Sequence, residues 1–246
     1  MSLDAIEGRN PVVECLARAR RRVIRVWIDV GARPDPRIAR IEALAKAAGV
    51  PVERVLRQAL DRTCEGRVHN GVVAWAEPLE ATTTARLLAD VPPGKDTFLV
   101  LADGLEYEHN LGAVLRSALG FGVDGLIVPT RRGAGLTPVV QRVAMGAAEV
   151  VPVIHEGMFA ALRPIRDAGL RVVGADAAGR PANEVDLRGS LALILGAEGR
   201  GLSPKLAERC DDLVSIPMAG ALESLNVSVA AAILMYEKRR QDALPR

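Results

Sequence analysis

Three segments of the chain place polar side chains and glycines within otherwise apolar sequence: residues 103–116, 195–202 and 216–228. Each segment follows a predicted strand, and open α/β sheets bind their ligands beyond the carboxyl ends of their strands. The segments supply amide, guanidinium, carboxylate and hydroxyl groups, which can orient a substrate, hold a phosphate or move a proton. The side chains that carry these groups are Asn110, Arg116, Glu198, Ser224 and Asn226.

Each of these side chains also has an ordinary structural interpretation. Asn110 and Asn226 can cap the helices that they begin, and Arg116 can be a solvated residue on a helix surface. Glu198 lies between glycines, where a carboxylate is often a solvated loop residue. The first segment lacks the Gly-x-Gly-x-x-Gly pattern of dinucleotide-binding folds, which excludes that kind of cofactor site. Taken alone, each residue fits a structural or a chemical role.

Strands and helices alternate around these segments, which predicts an α/β fold with a parallel sheet. Residues 98–104 form an apolar run typical of a strand buried on both faces, followed by a helix over 110–121 and a strand over 125–129. The alternation continues to a last helix over residues 226–241. This helix begins with VSVAAAILMY, which is apolar nearly all round, so we expect it to be buried against the sheet or another subunit.

Residues 77–96 separate this region from a smaller α/β unit at the N-terminus. The stretch contains Pro-Pro-Gly, which few packed elements tolerate. The chain is therefore predicted to comprise a first domain, a linker and a second domain, over residues 1–78, 79–96 and 97–246.

Arginines crowd the end of a helix predicted over residues 10–22, which has Asn10 as its cap and Pro11 at its first position. They are Arg18, Arg20, Arg21, Arg22 and Arg25. One interpretation is a solvated helix end whose cations favour the helix dipole. The other is a patch that grips RNA phosphates. Trp27 and Trp75 fall in predicted strands, so we expect both in the core rather than on a stacking surface.

Composition excludes several classes of protein. Of the 246 residues, 49% are apolar and 25% charged, which excludes a disordered tail or a disulfide-stabilised miniprotein. The net charge is only +2, so any affinity for nucleic acid depends on where the positive charge lies. Cys15, Cys64 and Cys210 lie far apart, without the short spacing of zinc ligands, and fit a reducing compartment. No apolar run suits a signal peptide or a membrane span, so we expect a soluble cytoplasmic protein without a metal.

Taken together and in this order, the three segments resemble the motifs of a known family, the SpoU-type RNA ribose 2′-O-methyltransferases (TrmH-like) of the SPOUT superfamily. The similar stretches are FLVLADGLEYEHNLGAVLRSALGFGVDGLIVP, LALILGAEGRGL and SIPMAGALESLNVSVAAAILMYE, and the resemblance covers residues 97–241. IEGRNPVVECL and the elements up to about residue 76 resemble the substrate-binding domain of bacterial members. The nearest likeness is to the large-subunit ribosomal RNA guanosine methyltransferases.

The resemblance implies a fold, a cofactor and a role for each site residue. The fold is a parallel-sheet α/β domain with a deep trefoil knot, preceded by a small α/β RNA-binding domain like a ribosomal protein. The cofactor is S-adenosylmethionine, held by backbone groups of Gly196, Ile216 and Leu225. The substrate is the ribose of a guanosine in large-subunit ribosomal RNA, and members form homodimers through the knotted domain. The implied catalytic residues are Asn110, Arg116, Glu198, Ser224 and Asn226.

Other functions stay open at this point. Tyr107-Glu108 stands where the family has Asp-Pro before His-Asn, which concerns the shape of the loop and the choice of substrate. Alternatives within the class are a tRNA ribose methyltransferase and a resistance-conferring ribosomal methyltransferase that modifies an adenosine or uridine. A different class is a non-catalytic RNA-binding protein of ribosome assembly, which the joint presence of all five polar residues disfavours.

Overall fold

The computed structural model describes residues 3–130, 134–197, 200–220 and 224–245. In chain order its elements are β1 (Asp4–Glu7), α1 (Arg9–Arg18), β2 (Val23–Asp29), α2 (Pro36–Ala47), β3 (Val52–Val55), α3 (Arg57–Thr63), β4 (Val72–Ala76), α4 (Thr84–Ala89), β5 (Phe98–Ala102), α5 (Glu108–Gly120), β6 (Gly125–Val128), α6 (Pro138–Val143), β7 (Val153–His155), α7 (Met158–Asp167), β8 (Arg171–Pro181), β9 (Leu191–Leu195), α8 (Pro204–Ala207), β10 (Asp212–Ser215) and α9 (Val227–Asp242). Short 3₁₀ turns lie at Ala147–Glu149 and Ala182–Glu184.

The chain divides into two compact units. The first unit comprises residues 1–80 and 136–150, and the second comprises residues 81–135 and 151–246. The predicted second domain, residues 97–246, differs from this division in the segment 136–150, which packs within the first unit. The boundaries of the linker stay a prediction.

The first unit is built on a four-stranded sheet in the order β1-β4-β2-β3. β4 pairs antiparallel with β1 and β2, whereas β3 runs parallel to β2. Helices α1 and α2 contribute apolar side chains to its core, among them Val12, Leu16 and Ile41. Strand β1 was not predicted, because the residues DAIE show no alternation of polar and apolar side chains.

Helix α1 begins and ends earlier than the sequence predicts. Gly8, with φ of 104°, precedes the helix and donates its N–H to the Val72 carbonyl, so the helix starts at Arg9 and no side chain caps it. The prediction of Asn10 as the cap is therefore wrong, and Asn10 Nδ2 donates to Met145 Sδ instead. The helix ends at Arg18 because Ala19 adopts the left-handed conformation, with φ of 50°.

A buried ion pair holds the segment 136–150 within the first unit. The guanidinium of Arg21 pairs with both carboxylate oxygens of Glu149, and the two side chains are 1% and 2% exposed. Arg21 also donates to Gln141 Oε1 at 3.1 Å and to Asp4 Oδ2 at 2.8 Å. A buried charge without a partner is strongly destabilising, so Glu149 and Arg21 each require the other.

The second unit contains a six-stranded sheet in the order β10-β8-β9-β5-β6-β7, and all of its strand pairs are parallel. This confirms the predicted α/β fold with a parallel sheet. Strands β5 and β9 are buried throughout, as expected for strands covered on both faces. The trefoil knot stays a prediction.

Helix α9 buries one face and exposes the other. Ala231, Leu234 and Met235 are buried, whereas an apolar stripe of Val229, Ile233 and Tyr236 is exposed. Within the described residues, no helix has both the length and the apolar character that a membrane crossing requires.

Candidate functional site

A cavity of about 1220 Å³ opens in the second unit at the carboxyl ends of β9 and β10 and beside the middle of β8. Its walls include Ala175–Ala177 of β8, Leu195 and Gly196 at the end of β9, and Val214–Ile216 at the end of β10. The first turns of α5 and α9 complete it. Since β10, β8 and β9 are neighbours in the sheet, the carboxyl ends of β9 and β10 lie on either side of β8, at the edge where ligands of open parallel sheets bind.

The turn after β9 requires a glycine at position 196. A Cβ atom there would lie 2.2 Å from the Gly201 carbonyl carbon and 2.5 Å from the Leu202 nitrogen, closer than real atoms approach. Ala197 and Gly201 exchange two backbone hydrogen bonds of 3.0 Å, and Gly201 has φ of 64°. The chain therefore folds tightly back on itself, and backbone rather than side chains forms this wall of the cavity.

Two asparagines meet at the cavity from positions far apart in the chain. Asn226 caps α9, since its Oδ1 accepts from the Ser228 N–H at 2.9 Å, as predicted. Its Nδ2 group donates to Asn110 Oδ1 at 3.1 Å. Asn110 is not a cap, because α5 begins two residues before it, at Glu108. The capping interpretation thus holds for Asn226 and fails for Asn110, whose side chain faces the other amide.

The structure brings together most of the predicted site residues. Those that line the cavity are Asn110, Gly196, Ile216, Ser224, Leu225 and Asn226. Arg116 is exposed on α5 and is not part of the lining. Glu198 lies outside the described residues. The catalytic and cofactor-binding roles of all these residues stay predictions.

Several lining residues lie outside the predicted catalytic and cofactor-binding sets, although Tyr107 and His109 fall in the first polar segment and Arg200 in the second. Tyr107 and His109 flank the start of α5, Arg200 lies in the turn after β9, and Ala175–Ala177 come from β8. The three polar segments attract attention because each follows a predicted strand of a parallel sheet. The same reasoning applies to β8, which is a parallel strand of the same sheet. The sequence predicts a strand over residues 171–176 but no polar segment after it, whereas β8 extends to Pro181, so Asp176 lies within the strand.

The cavity carries little charge in the part of the chain that the structure describes. Asp176 and Arg200 contribute one charge of each sign, and the rest of the lining is backbone, apolar or neutral polar. Burial raises the pKa of Asp103, which follows β5. Among the described residues, no cluster of histidine, cysteine and carboxylate side chains could hold a metal ion. The arrangement suits an organic ligand bound by backbone groups.

The chain matches two family models. Residues 97–236 match the SpoU rRNA Methylase family, and residues 5–82 match the RNA 2′-O ribose methyltransferase substrate binding domain. A Mycobacterium tuberculosis protein named as an uncharacterized tRNA/rRNA methyltransferase is 39% identical over 248 residues, which are 99% of this chain and 76% of the relative.

Solved structures with the same fold cover the chain to different extents. The SpoU methyltransferase AviRb from Streptomyces viridochromogenes, in complex with AdoMet, matches with a TM-score of 0.80 and 25% identity over 97% of this chain and 90% of its own. The A. aeolicus TrmH/SpoU tRNA modifying enzyme matches with a TM-score of 0.54 and 27% identity over 64% of this chain and 81% of its own. As its motifs predicted, the chain belongs to the SpoU rRNA methylase family.

Proposed function

We propose that this S-adenosylmethionine-dependent RNA methyltransferase methylates the ribose 2′-hydroxyl of a guanosine in large-subunit ribosomal RNA. The observation that supports the proposal best is the convergence of Asn110, Ser224 and Asn226 on one cavity with the backbone at Gly196, Ile216 and Leu225. A transferase needs a donor and an acceptor side by side, and this cavity offers both a backbone-lined wall and a polar wall.

The cavity fits the cofactor. At Gly196 an added Cβ would collide with the backbone of Gly201 and Leu202, so the chain packs against itself there and its N–H and C=O groups can line a ligand. Backbone groups of Gly196, Ile216 and Leu225 would hold S-adenosylmethionine, which supplies a methyl group on a positively charged sulfur. The lining is close to neutral because its described residues carry one charge of each sign, Asp176 and Arg200. An unpaired carboxylate against the sulfur would reduce the drive for transfer.

The polar wall orients the acceptor. The 3.1 Å bond between the two asparagines fixes both amides. The second hydrogen on Asn226 Nδ2 can orient a ribose hydroxyl. Ser224 can pass the hydroxyl proton to water, since a hydroxyl group both donates and accepts. Holding the oxygen in line with the transferred carbon accounts for much of the expected rate.

Arg116 acts through charge rather than as a base. A guanidinium with a pKa above about 12 is a very poor proton acceptor. Arg116 is six residues beyond Asn110 on α5, or about 9 Å along the helix axis. From there it can grip an RNA phosphate beside the target ribose with its planar fork and stabilise negative charge on the oxygen.

The exposed stripe of α9 supports the homodimer. Val229, Ile233 and Tyr236 follow the spacing of one helix face, and all three are more than a third exposed. An apolar stripe of this kind marks a protein contact, and we propose a second copy of this domain as the occupant.

The N-terminal domain favours ribosomal RNA over tRNA as the substrate. The tRNA-modifying relative matches only 64% of this chain, whereas the substrate-binding model accounts for residues 5–82. An enzyme that modifies ribosomal RNA works where ribosomes are made, so we place it in the cytoplasm.

Methyl transfer from labelled S-adenosylmethionine to total RNA of a strain lacking the gene tests the function. We expect label in large-subunit ribosomal RNA, with the modified ribose mapped by mass spectrometry of nuclease fragments. Label in tRNA would instead indicate the alternative function, a tRNA ribose methyltransferase. Binding of S-adenosylmethionine and RNA without transfer to any ribose would instead favour a non-catalytic RNA-binding protein.

A further inference from the structure

The arginine cluster expected to grip RNA is largely engaged within the first unit. Arg21 is buried in its ion pair with Glu149. The guanidinium of Arg25 lies over the ring of Trp75, 4.3 Å from its centroid, and 5.1 Å from that of Trp27. The two tryptophan rings pack edge to face at 4.7 Å and join the core, as predicted. The remaining members, Arg18, Arg20 and Arg22, are exposed.

A second cavity of the same unit concentrates positive charge instead. This arginine cleft, of about 790 Å³, is bounded by residues 8–11, 29–37 and 66–71, which combine loops with the first turns of α1 and α2. Its lining contains six arginines against three aspartates: Arg9, Arg33, Arg37, Arg57, Arg67 and Arg142 against Asp29, Asp35 and Asp61. A concave surface of one sign focuses its field on a ligand of the opposite sign.

Carboxylates of Asp35 and of the buried Glu7 hold some of the cleft's arginine side chains in place. Asp35 accepts from Arg9 at 2.6 Å and from both Nε and Nη2 of Arg37 at 3.0 Å, and these bonds hold the pKa of Asp35 well below its usual range. Arg67 donates to the buried carboxylate of Glu7 at 2.8 Å. These arginines shape the cleft and have fewer donors to offer a ligand.

Other arginines of the cleft keep their donors available. Arg33 makes no hydrogen bond or ion pair with any residue that the structure describes. Arg57 is 66% exposed and has only long contacts, 3.8 Å to Asp29 and 4.0 Å to Asp61. The Nε atom of Arg142 is buried without a hydrogen-bond partner among the described residues. Such donors are satisfied when an anion enters.

A buried histidine keeps the wall of the cleft in place. His69 is 2% exposed, and its Nδ1 accepts from the Gly71 N–H at 3.0 Å. Its Nε2 therefore carries the proton and donates to Asp61 Oδ1 at 2.9 Å. Both ring nitrogens are used within the protein, so His69 positions the loop rather than contacting a ligand. Val68 and Met145 add exposed apolar surface at the cleft, which suits a ribose or a base beside the phosphate.

We infer that the arginine cleft binds backbone phosphates of the RNA substrate, with Arg33 and Arg57 as the donors to phosphate. The inference rests on the proposed function, because only an RNA substrate gives the cleft a polyanion to bind. Arginine forks match phosphate oxygens, and the fixed arginines around them add long-range attraction. The cleft, not the helix end at Arg18–Arg22, is then the RNA-binding surface of this unit.

Two double variants of the full-length protein test this inference. Arg33→Ala/Arg57→Ala removes two exposed guanidinium groups from the cleft, and Arg20→Ala/Arg22→Ala removes two exposed groups outside it. The probe is unmodified large-subunit ribosomal RNA transcribed in vitro, with binding measured from 50 to 200 mM salt. We expect the cleft variant to bind at least about tenfold more weakly, with a salt slope smaller by roughly one to two.

The control variant should lose less than about threefold. Equal losses in both variants would show a diffuse charge effect and overturn the inference, as would unchanged binding by the cleft variant. The charge-retaining Arg33→Lys/Arg57→Lys variant should recover part of the affinity, since only the fork is lost. Calorimetric binding of S-adenosylmethionine should be unchanged throughout. Failure of the proposed function appears separately, as absence of methyl transfer by the wild-type protein.

Discussion

The two cavities differ in what lines them. The cavity of the second unit lies at the carboxyl ends of parallel strands and is lined by backbone and neutral groups, with one charge of each sign among its described residues. The arginine cleft of the first unit is lined by loops and helices and holds nine charged side chains. The first arrangement fits a small organic molecule, and the second fits a polyanion.

This difference predicts two kinds of sensitivity to substitution. A ligand held by backbone groups depends on close packing, so one added methyl group can exclude it. A ligand held by several guanidinium groups loses affinity in steps as charges are removed, because phosphate contacts contribute separately. Substitutions in each cavity therefore test whether ligand binding is lost with one methyl group or falls stepwise with charge.

The largest effect is expected at Arg116, which lies on α5 outside the cavity lining and is proposed to act on the acceptor RNA. Arg116→Lys should lower single-turnover methyl transfer by about 100-fold or more, because a point charge cannot replace the bidentate fork. Binding of S-adenosylmethionine should be unchanged. Arg163→Lys, at an 88% exposed position of α7, is the matched control. Full turnover by Arg116→Lys would eliminate the proposed electrostatic role.

The next effect concerns the stability of the first unit. Glu149→Ala leaves the buried guanidinium of Arg21 with only the more exposed carboxylate of Asp4 and should lower the free energy of unfolding by about 3 kcal/mol. The chain's two tryptophans, Trp27 and Trp75, lie in this unit, so their fluorescence in urea reports its unfolding. Glu14→Ala breaks a partly exposed pair and should cost about 0.5 kcal/mol. Equal urea midpoints of unfolding for Glu149→Ala and Glu14→Ala would contradict the stabilising role of the buried pair.

A smaller effect is expected at the backbone-lined wall. Gly196→Ala should weaken S-adenosylmethionine binding by at least about tenfold in calorimetry, since its Cβ would meet backbone at 2.2 Å. Gly157→Ala, where an added Cβ meets nothing within 4 Å, should bind normally. Normal binding by Gly196→Ala would show that this turn does not form the cofactor wall.

The smallest expected effect is a difference in thiol reactivity between the cysteines of the first unit, Cys15 and Cys64, and Cys210 of the second unit. Burial raises the pKa of Cys15 and Cys64 to about 12, and that of Cys210 to about 11. Since only the thiolate reacts, about one thiol in ten thousand is reactive at pH 8 for a pKa of 12. Alkylation followed by peptide mass spectrometry should therefore label Cys210 first, with labelling faster as pH rises. Faster labelling of Cys15 than of Cys210 would contradict the burial order.

Part of the site could be predicted from sequence because its signals are local. The parallel sheet follows from apolar runs separated by helical spacing, and the cap at Asn226 follows from its place before an apolar helix. The glycine at position 196 marks a turn after a buried strand. The ordered motifs indicated the family, which the comparisons confirm. These features depend on residues within a few positions of one another.

Tertiary structure alone decided how distant residues combine. The sequence could not pair Arg21 with Glu149 across 128 positions, or Asn226 with Asn110 across 116. A run of arginines looks the same whether its members are solvated, stacked on tryptophan or buried, because their environment depends on what packs against them. The same holds for the arginine cleft, whose guanidinium groups come from four separate helices and two loops. Local sequence determined the elements and the chemical groups, whereas packing decided which groups are free to meet a ligand.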